Sequence, residues 1–86
     1  WSAMERAVRQ GQTQLFIETP YRNEKVLEEA LQNLGPDLHL CVACDLSTHT
    51  EYIKSQTVTA WRKDKNRPDL HKRPTIFLVG RSNRMI

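Results

Sequence analysis

Apolar and polar positions along the chain switch repeatedly between helical and extended spacing. Met4, Ala7 and Val8 share one face of a helical repeat. Ser2-Ala3-Met4-Glu5 ahead of them has capping-box form, in which Ser accepts from an early backbone N–H and Glu reaches back. Gly11 is placed to end this helix in the left-handed region. Thr13–Glu18 is short, apolar and partly β-branched, and it predicts a strand before Thr19-Pro20. Leu27, Ala30, Leu31 and Leu34 recur at helical spacing and predict a helix over Glu24–Leu34, with Asn23 as N-cap and Gly35-Pro36 as the stop.

Leu38–Cys44 predicts a second strand, Asp45–His49 a polar loop, and Glu51–Gln56 a third strand. Thr57 or Ser55 is placed to cap a short helix carrying Val58, Ala60 and Trp61. Residues 63–73 are charged, contain Pro68 and are followed by Pro74, which predicts a loop, and Thr75–Val79 is a last buried strand with Arg81–Arg84 as a polar end. The alternation predicts an α/β fold, with a mixed sheet of about four to five strands and about two to three helices. Leu15–Ile17 and Ile76–Val79 are continuous apolar runs, as in strands covered on both faces. So few helices cover little more than one face, so another element of a longer protein, or a second copy, is expected over the other.

Composition narrows the class. At 86 residues, 38% hydrophobic and 27% charged, the chain is expected to form one domain over residues 1–86, neither a disordered tail nor a collagen-like repeat. Its longest apolar run, Ile76–Val79, falls far short of the roughly 20 residues of a membrane span. No signal-peptide pattern is present, so a cytoplasmic setting is expected. The chain opens with Trp1 rather than Met, which suggests a piece of a longer protein.

Charge is unevenly placed. Residues 1–53 carry four Lys/Arg against eight Asp/Glu, whereas residues 54–86 carry nine against two. Such asymmetry fits either a surface that meets an anion or a solvated basic loop.

Three short segments carry candidate chemistry. Cys41-Val42-Ala43-Cys44 has CxxC spacing, but within a strand the two thiols point to opposite faces and cannot share a metal or a local disulfide. Two buried core cysteines is the better reading, and no metal site is expected. Glu18-Thr19-Pro20-Tyr21-Arg22 leaves a strand end and enters a helix, where α/β folds place ligands. Glu18 can accept from an amino or hydroxyl group and Arg22 can pair with an anion; alternatively the two simply pair with each other. Asp45-Leu46-Ser47-Thr48 follows the second strand in the same way, so two strand ends converge. No complete catalytic set appears, so no catalytic residue is assigned.

The order of these segments resembles the C-terminal domain of the tetrapyrrole (corrin/porphyrin) methylase family. Gln14–Arg22 is similar to the family's "YExPHR"-type segment, Ala43-Cys44-Asp45-Leu46-Ser47-Thr48 stands where "ARELT" occurs, and Ile76–Arg81 resembles a "LIVGR"-like final strand. The likeness spans residues 12–81 and is nearest to the branch that includes the small-subunit ribosomal-RNA ribose methyltransferase. Tyr21 replaces that branch's His, and Cys44-Asp45 its Arg-Glu pair.

The resemblance implies a two-domain enzyme that binds S-adenosyl-L-methionine in the cleft between its domains, with this chain as the C-terminal half and inactive alone. It implies Glu18, Thr19, Asp45, Leu46, Ser47 and Gly80 at the cofactor, and Arg22 orienting the loop or touching substrate. The implied partners are the N-terminal domain of the same protein, a second subunit in a homodimer, and a methyl acceptor that is RNA or a tetrapyrrole. No membrane partner is implied. The alternative function is an RNA-binding module that grips phosphates with the Arg62–Arg73 loop.

Overall fold

The computed structural model describes residues 1–81, and Ser82–Arg84 of the expected polar end lie outside them. Its elements are α1 (Ser2–Arg9), β1 (Gln14–Ile17), a 3₁₀ turn (Pro20–Arg22), α2 (Asn23–Asn33), β2 (His39–Cys44), β3 (Tyr52–Thr57), α3 (Val58–Lys63) and β4 (Thr75–Gly80). The strands form one four-stranded sheet in the order β1-β4-β2-β3. The α/β class and the strand count agree with the pattern of apolar positions. Every pairing is antiparallel, whereas a mixed sheet was expected. The two inner neighbours, β4 and β2, run in opposite directions, which single-strand periodicity does not encode.

Register divides the sheet into two unlike faces. Phe16, Phe77 and Val42 align across one row, and Val79 and Leu40 across the next. These residues meet Val8 of α1, the Val26, Leu27, Ala30 and Leu31 stripe of α2, and Val58 and Trp61 of α3. All three helices therefore cover the same face. Trp61 is fully buried and donates its indole N–H to Leu40 O at 2.7 Å, so its polar atom is not stranded in the core. Phe16 stacks on Phe77 with centroids 5.0 Å apart, and Trp1 meets Phe16 edge-on at 5.5 Å.

Among the described residues, no helix covers the other face. Leu15-Leu78-Cys41-Ser55 and Ile17-Ile76-Ala43-Ile53 form its two central rows. Leu15 is 59% exposed and Ile17 64%. The continuous apolar runs are thus explained: alternate residues build the core, and the intervening ones build a second apolar surface. Among the described residues, no helix is long and apolar enough to cross a membrane.

Several local expectations hold. Gly11 takes φ +94° after α1, and Thr57 Oγ1 caps α3 by accepting from Ala60 N at 3.1 Å. Others are corrected. Ser2 lies inside α1 and forms no cap; Glu5 instead accepts from Gly35 N at 2.7 Å and ties α1 to the end of α2. Asn23 is the first residue of α2, buried, and its side chain turns away to bind a distant loop. Gly35-Pro36 does follow the end of α2, and its last carbonyls are held by Arg62, which donates to Leu31 O at 2.6 Å and Leu34 O at 3.2 Å. A cation on exposed carbonyls suits the negative end of a helix.

Candidate functional site at the ends of two strands

β1 and β2 both flank β4 in antiparallel sense, so they run parallel to each other and end at one edge of the sheet. Past β1, Pro20 opens the 3₁₀ turn with its fixed φ, and Arg22 N donates back to Thr19 O at 2.9 Å. Past β2 the chain reverses through Asp45 (φ 53°) and Ser47 (φ 66°). Left-handed backbone costs a side-chain-bearing residue energy, and local bonds hold it here. Asp45 N donates to Pro74 O at 3.0 Å, Thr48 Oγ1 to Asp45 O at 2.7 Å, and Ser47 N to Glu51 Oε1 at 2.8 Å.

Between these strand ends lies an open pocket of about 390 Å³. Ile17, Ala43 and Ile76, aligned in one row across the uncovered face, line its base. Glu18, Asp45 and Leu46 line it from the two loops. The volume falls at the small end of the range for ligand sites, which are typically mostly apolar with a few polar groups. Leu46 is 43% exposed, a large apolar side chain held at the mouth.

The three charged groups nearby differ in freedom. Glu18 accepts only from the adjacent Thr19 amide, at 3.3 Å, and forms no ion pair with Arg22. Asp45 is tied into its loop: its Oδ2 accepts from Arg73 Nε at 2.7 Å and from Thr50 Oγ1 at 3.0 Å. Those bonds hold its carboxyl below the ordinary carboxylate range, chiefly through the Arg73 guanidinium. Arg73 also donates to Asp69 O at 2.7 Å and Thr50 O at 2.9 Å, and its own pKa is raised in return. Asp45 is therefore a loop fastener, and Glu18 is the carboxylate left to meet a ligand.

Behind this loop stands Asn23. Its Nδ2 lies 3.2 Å from Leu70 O, 2.6 Å from Arg73 O and 3.1 Å from Thr75 Oγ1. It fixes the 70–75 segment against the start of α2, and Pro74 and Thr75 of that segment complete the pocket wall.

Of the residues singled out from the sequence, the fold brings Glu18, Asp45 and Leu46 to one pocket. Thr19 and Ser47 belong to the same two loops but do not line it, and Arg22 is exposed on the 3₁₀ turn. Gly80 is elsewhere. It pairs with His39, four residues beyond Ile76, about 13 Å along the strand at about 3.3 Å per residue. Arg73, Asn23 and Thr75 were missed. Arg73 is hidden in a charged loop and Asn23 looks like a cap; only the β2–β4 pairing, which puts Thr75 beside Cys44, exposes their role.

The basic loop is also resolved into parts. Arg62, Arg67 and Arg73 all turn inward: Arg67 donates to Trp61 O at 3.0 Å and pairs with Glu28, while the other two hold the carbonyls named above. The lysines Lys63, Lys65 and Lys72 stay exposed. Cys41 and Cys44 are free, buried and on opposite faces, and burial pushes both thiols up. Among the described residues, no group of His, Cys, Asp and Glu is arranged to hold a metal ion.

No protein-family model matches the chain, and no curated protein matches it at a significant level. A solved structure described as the methyltransferase CobJ is similar over 92% of this chain, with a TM-score of 0.53 and 19% identity. The chain spans 33% of that structure's length. The likeness is one of fold.

Proposed function

We propose that this chain is one wall of the cofactor cleft in an S-adenosyl-L-methionine-dependent methyltransferase of the tetrapyrrole methylase type. The observation that carries the reading is the meeting of Glu18 and Leu46 on an apolar base of Ile17, Ala43 and Ile76. Support also comes from the order of the sequence segments and from the shared fold with a methyltransferase.

The pocket suits the nucleoside part of such a cofactor. A purine ring fits against Leu46 and Ile76, and the unengaged Glu18 carboxylate is suited to accept from a ribose hydroxyl or an amino group. Asp45, fastened by Arg73, keeps Leu46 at the mouth rather than touching the ligand itself. When bound, the cofactor supplies a sulfonium methyl that is displaced directly by the acceptor, so the protein's part is alignment and exclusion of water. Only one wall is present here. A second domain is proposed to close the cleft over the uncovered apolar face, with a second subunit forming a homodimer; the acceptor is RNA, a tetrapyrrole or a related compound.

Isothermal titration of S-adenosylhomocysteine into the two-domain protein tests the reading. Leu46→Arg is expected to weaken binding at least tenfold, about 1.4 kcal/mol, by filling the mouth with a charged chain. Equal affinity for the variant and wild type would remove this loop from the cofactor pocket.

A further inference from the structure

The open face of the sheet extends past the pocket, and its composition does not suit contact with water. Its rows are Leu15-Leu78-Cys41-Ser55, Ile17-Ile76-Ala43-Ile53 and, at the far end, Gly80-His39-Thr57. No Asp, Glu, Lys or Arg stands in any of them. An antiparallel sheet with one solvated face ordinarily turns its polar residues to that face. Here β3 does the reverse. Lys54 and Gln56 point to the helix-covered side, where both donate to Asp64 Oδ2 at 3.1 Å, and Ile53 points to the open side. Two polar atoms that the open face does carry, His39 Nδ1 and Ser55 Oγ, are buried without a hydrogen-bond partner. The face therefore offers apolar contact and no charge.

Only part of this face belongs to the pocket. Ile17, Ala43 and Ile76 form the pocket base, whereas Leu15, Leu78 and Ile53 do not line it. Leu15 is 59% exposed and Ile53 49%, and they stand on opposite edge strands. A surface that rests on both has to span the sheet beside the pocket base.

Area selects the occupant. Three rows about 6.7 Å apart on four strands about 4.8 Å apart make a face of roughly 400 Å². Two such surfaces bury about 800 Å² together, below the roughly 1,200 Å² at which free partners form stable complexes. That area lies within the roughly 600–1,500 Å² of interfaces between domains of one chain, where a tether supplies an effective concentration of about millimolar. The chain spans 33% of the methyltransferase structure that shares its fold, and a molecule of that size has further polypeptide to supply.

We propose that Leu15, Leu78 and Ile53 dock the second domain of the same protein and so act as positioning residues for the cofactor, with docking and cofactor binding as one coupled equilibrium. The coupling rests on the reading of the pocket given above. A ligand that needs the closed pocket binds only the docked fraction, so its apparent affinity falls in proportion to that fraction. Coupling is reciprocal, so the ligand strengthens docking by the same factor.

Docking is read by thiol labelling of Leu15→Cys, because Cys41 and Cys44 are buried. Labelling is expected to be fast in the 86-residue chain, at least about tenfold slower in the two-domain protein, and slower again with saturating S-adenosylhomocysteine. Coupling is read by isothermal titration of that ligand into the two-domain protein. Leu15→Lys with Ile53→Lys is expected to lose at least about tenfold in affinity, and Leu15→Met with Ile53→Val to stay within about twofold of wild type. The 86-residue chain carrying both lysines should melt as wild type does; a large fall in its Tm would assign the effect to folding and overturn the positioning role. Equal labelling of Leu15→Cys in the two proteins would overturn the docking. Unchanged affinity in the double-lysine variant, with Leu46→Arg still weakened, would overturn the coupling and keep the pocket. Protection of Leu15→Cys with no S-adenosylhomocysteine binding by wild type would instead reject the pocket and the coupling together and keep the docking. Dimers of the 86-residue chain that the lysines abolish would give the face to a second copy and overturn the choice of occupant.

Discussion

Asn23 offers a quantitative test of how the pocket wall is held. Its amide nitrogen has two hydrogens for three acceptors, Leu70 O, Arg73 O and Thr75 Oγ1, and the residue is fully buried. Asn23→Ala removes about two net hydrogen bonds at about 0.5–1.5 kcal/mol each, and the small cavity adds to the loss, for about 2–3 kcal/mol in total. A domain of this size has about 4–13 kcal/mol to lose. Thermal unfolding followed by circular dichroism should therefore show Tm falling by about 10–20 °C.

Asn23→Asp is the sharper variant, because it preserves shape and removes every donor. Its ionised carboxyl would face two carbonyl oxygens, with the Thr75 hydroxyl committed as a donor to Arg73 O, a poorly compensated buried charge costing about 3–5 kcal/mol. Burial raises the folded pKa of that carboxyl above the unfolded value. The charge-dependent part of the penalty is thus absent below about pH 3.9, grows as pH rises to the folded pKa, and then levels off. Urea unfolding across pH 4–8, with wild type measured at each pH, reads this directly. Equal stability of Asn23→Asp and Asn23→Ala at pH 7, or a pH-independent gap, would refute the assigned hydrogen bonds.

Other consequences are simpler to check. Asp45→Asn should loosen the 45–51 loop, seen as faster amide exchange at Leu46–Thr48. Because Arg73 depresses the Asp45 carboxyl, its contribution is present above about pH 4 and lost as pH falls through the folded value, so variant and wild type should converge in acid. Asp64, held at about 2 by the Asn66 amide, Gln56 and Lys54, adds a second acid-labile contribution lost between about pH 4 and 2. Cys41 and Cys44 should react with a thiol reagent only on unfolding, and elemental analysis should find no bound zinc; fast labelling of the native chain would contradict their burial. Leu15→Lys on the open face should change stability by less than about 0.5 kcal/mol, whereas Phe77→Ala on the covered face should cost about 3–5 kcal/mol.

Much of this was legible because local rules governed it. The α2 stripe, the Thr57 cap and the left-handed Gly11 follow from spacing and side-chain chemistry alone. Glu18 and Asp45-Leu46 were found because strand ends in such folds point the same way, and antiparallel pairing of both strands with β4 fulfils that. What failed depended on partners far along the chain. Ser2 and Asn23 have the composition of caps, yet Glu5 is drawn to Gly35 and Asn23 to carbonyls some 50 residues away. Gly80 is implied at the cofactor by the family resemblance alone, and the extended strand places it opposite His39, at the other end of β4 from the pocket. The arginines of the 62–73 loop read as free charge because their carbonyl partners are invisible to any count of residues.

The central claim is that the loops after β1 and β2 form one nucleoside-binding wall. Mapping S-adenosylhomocysteine onto the two-domain protein by ¹H–¹⁵N shifts tests it most directly. Binding should perturb Ile17–Glu18, Ala43–Thr48 and Thr75–Ile76 together and leave Gly80 and Lys63–Asn66 unmoved. Perturbations that avoid both strand-end loops, or no binding at millimolar ligand, would contradict the account.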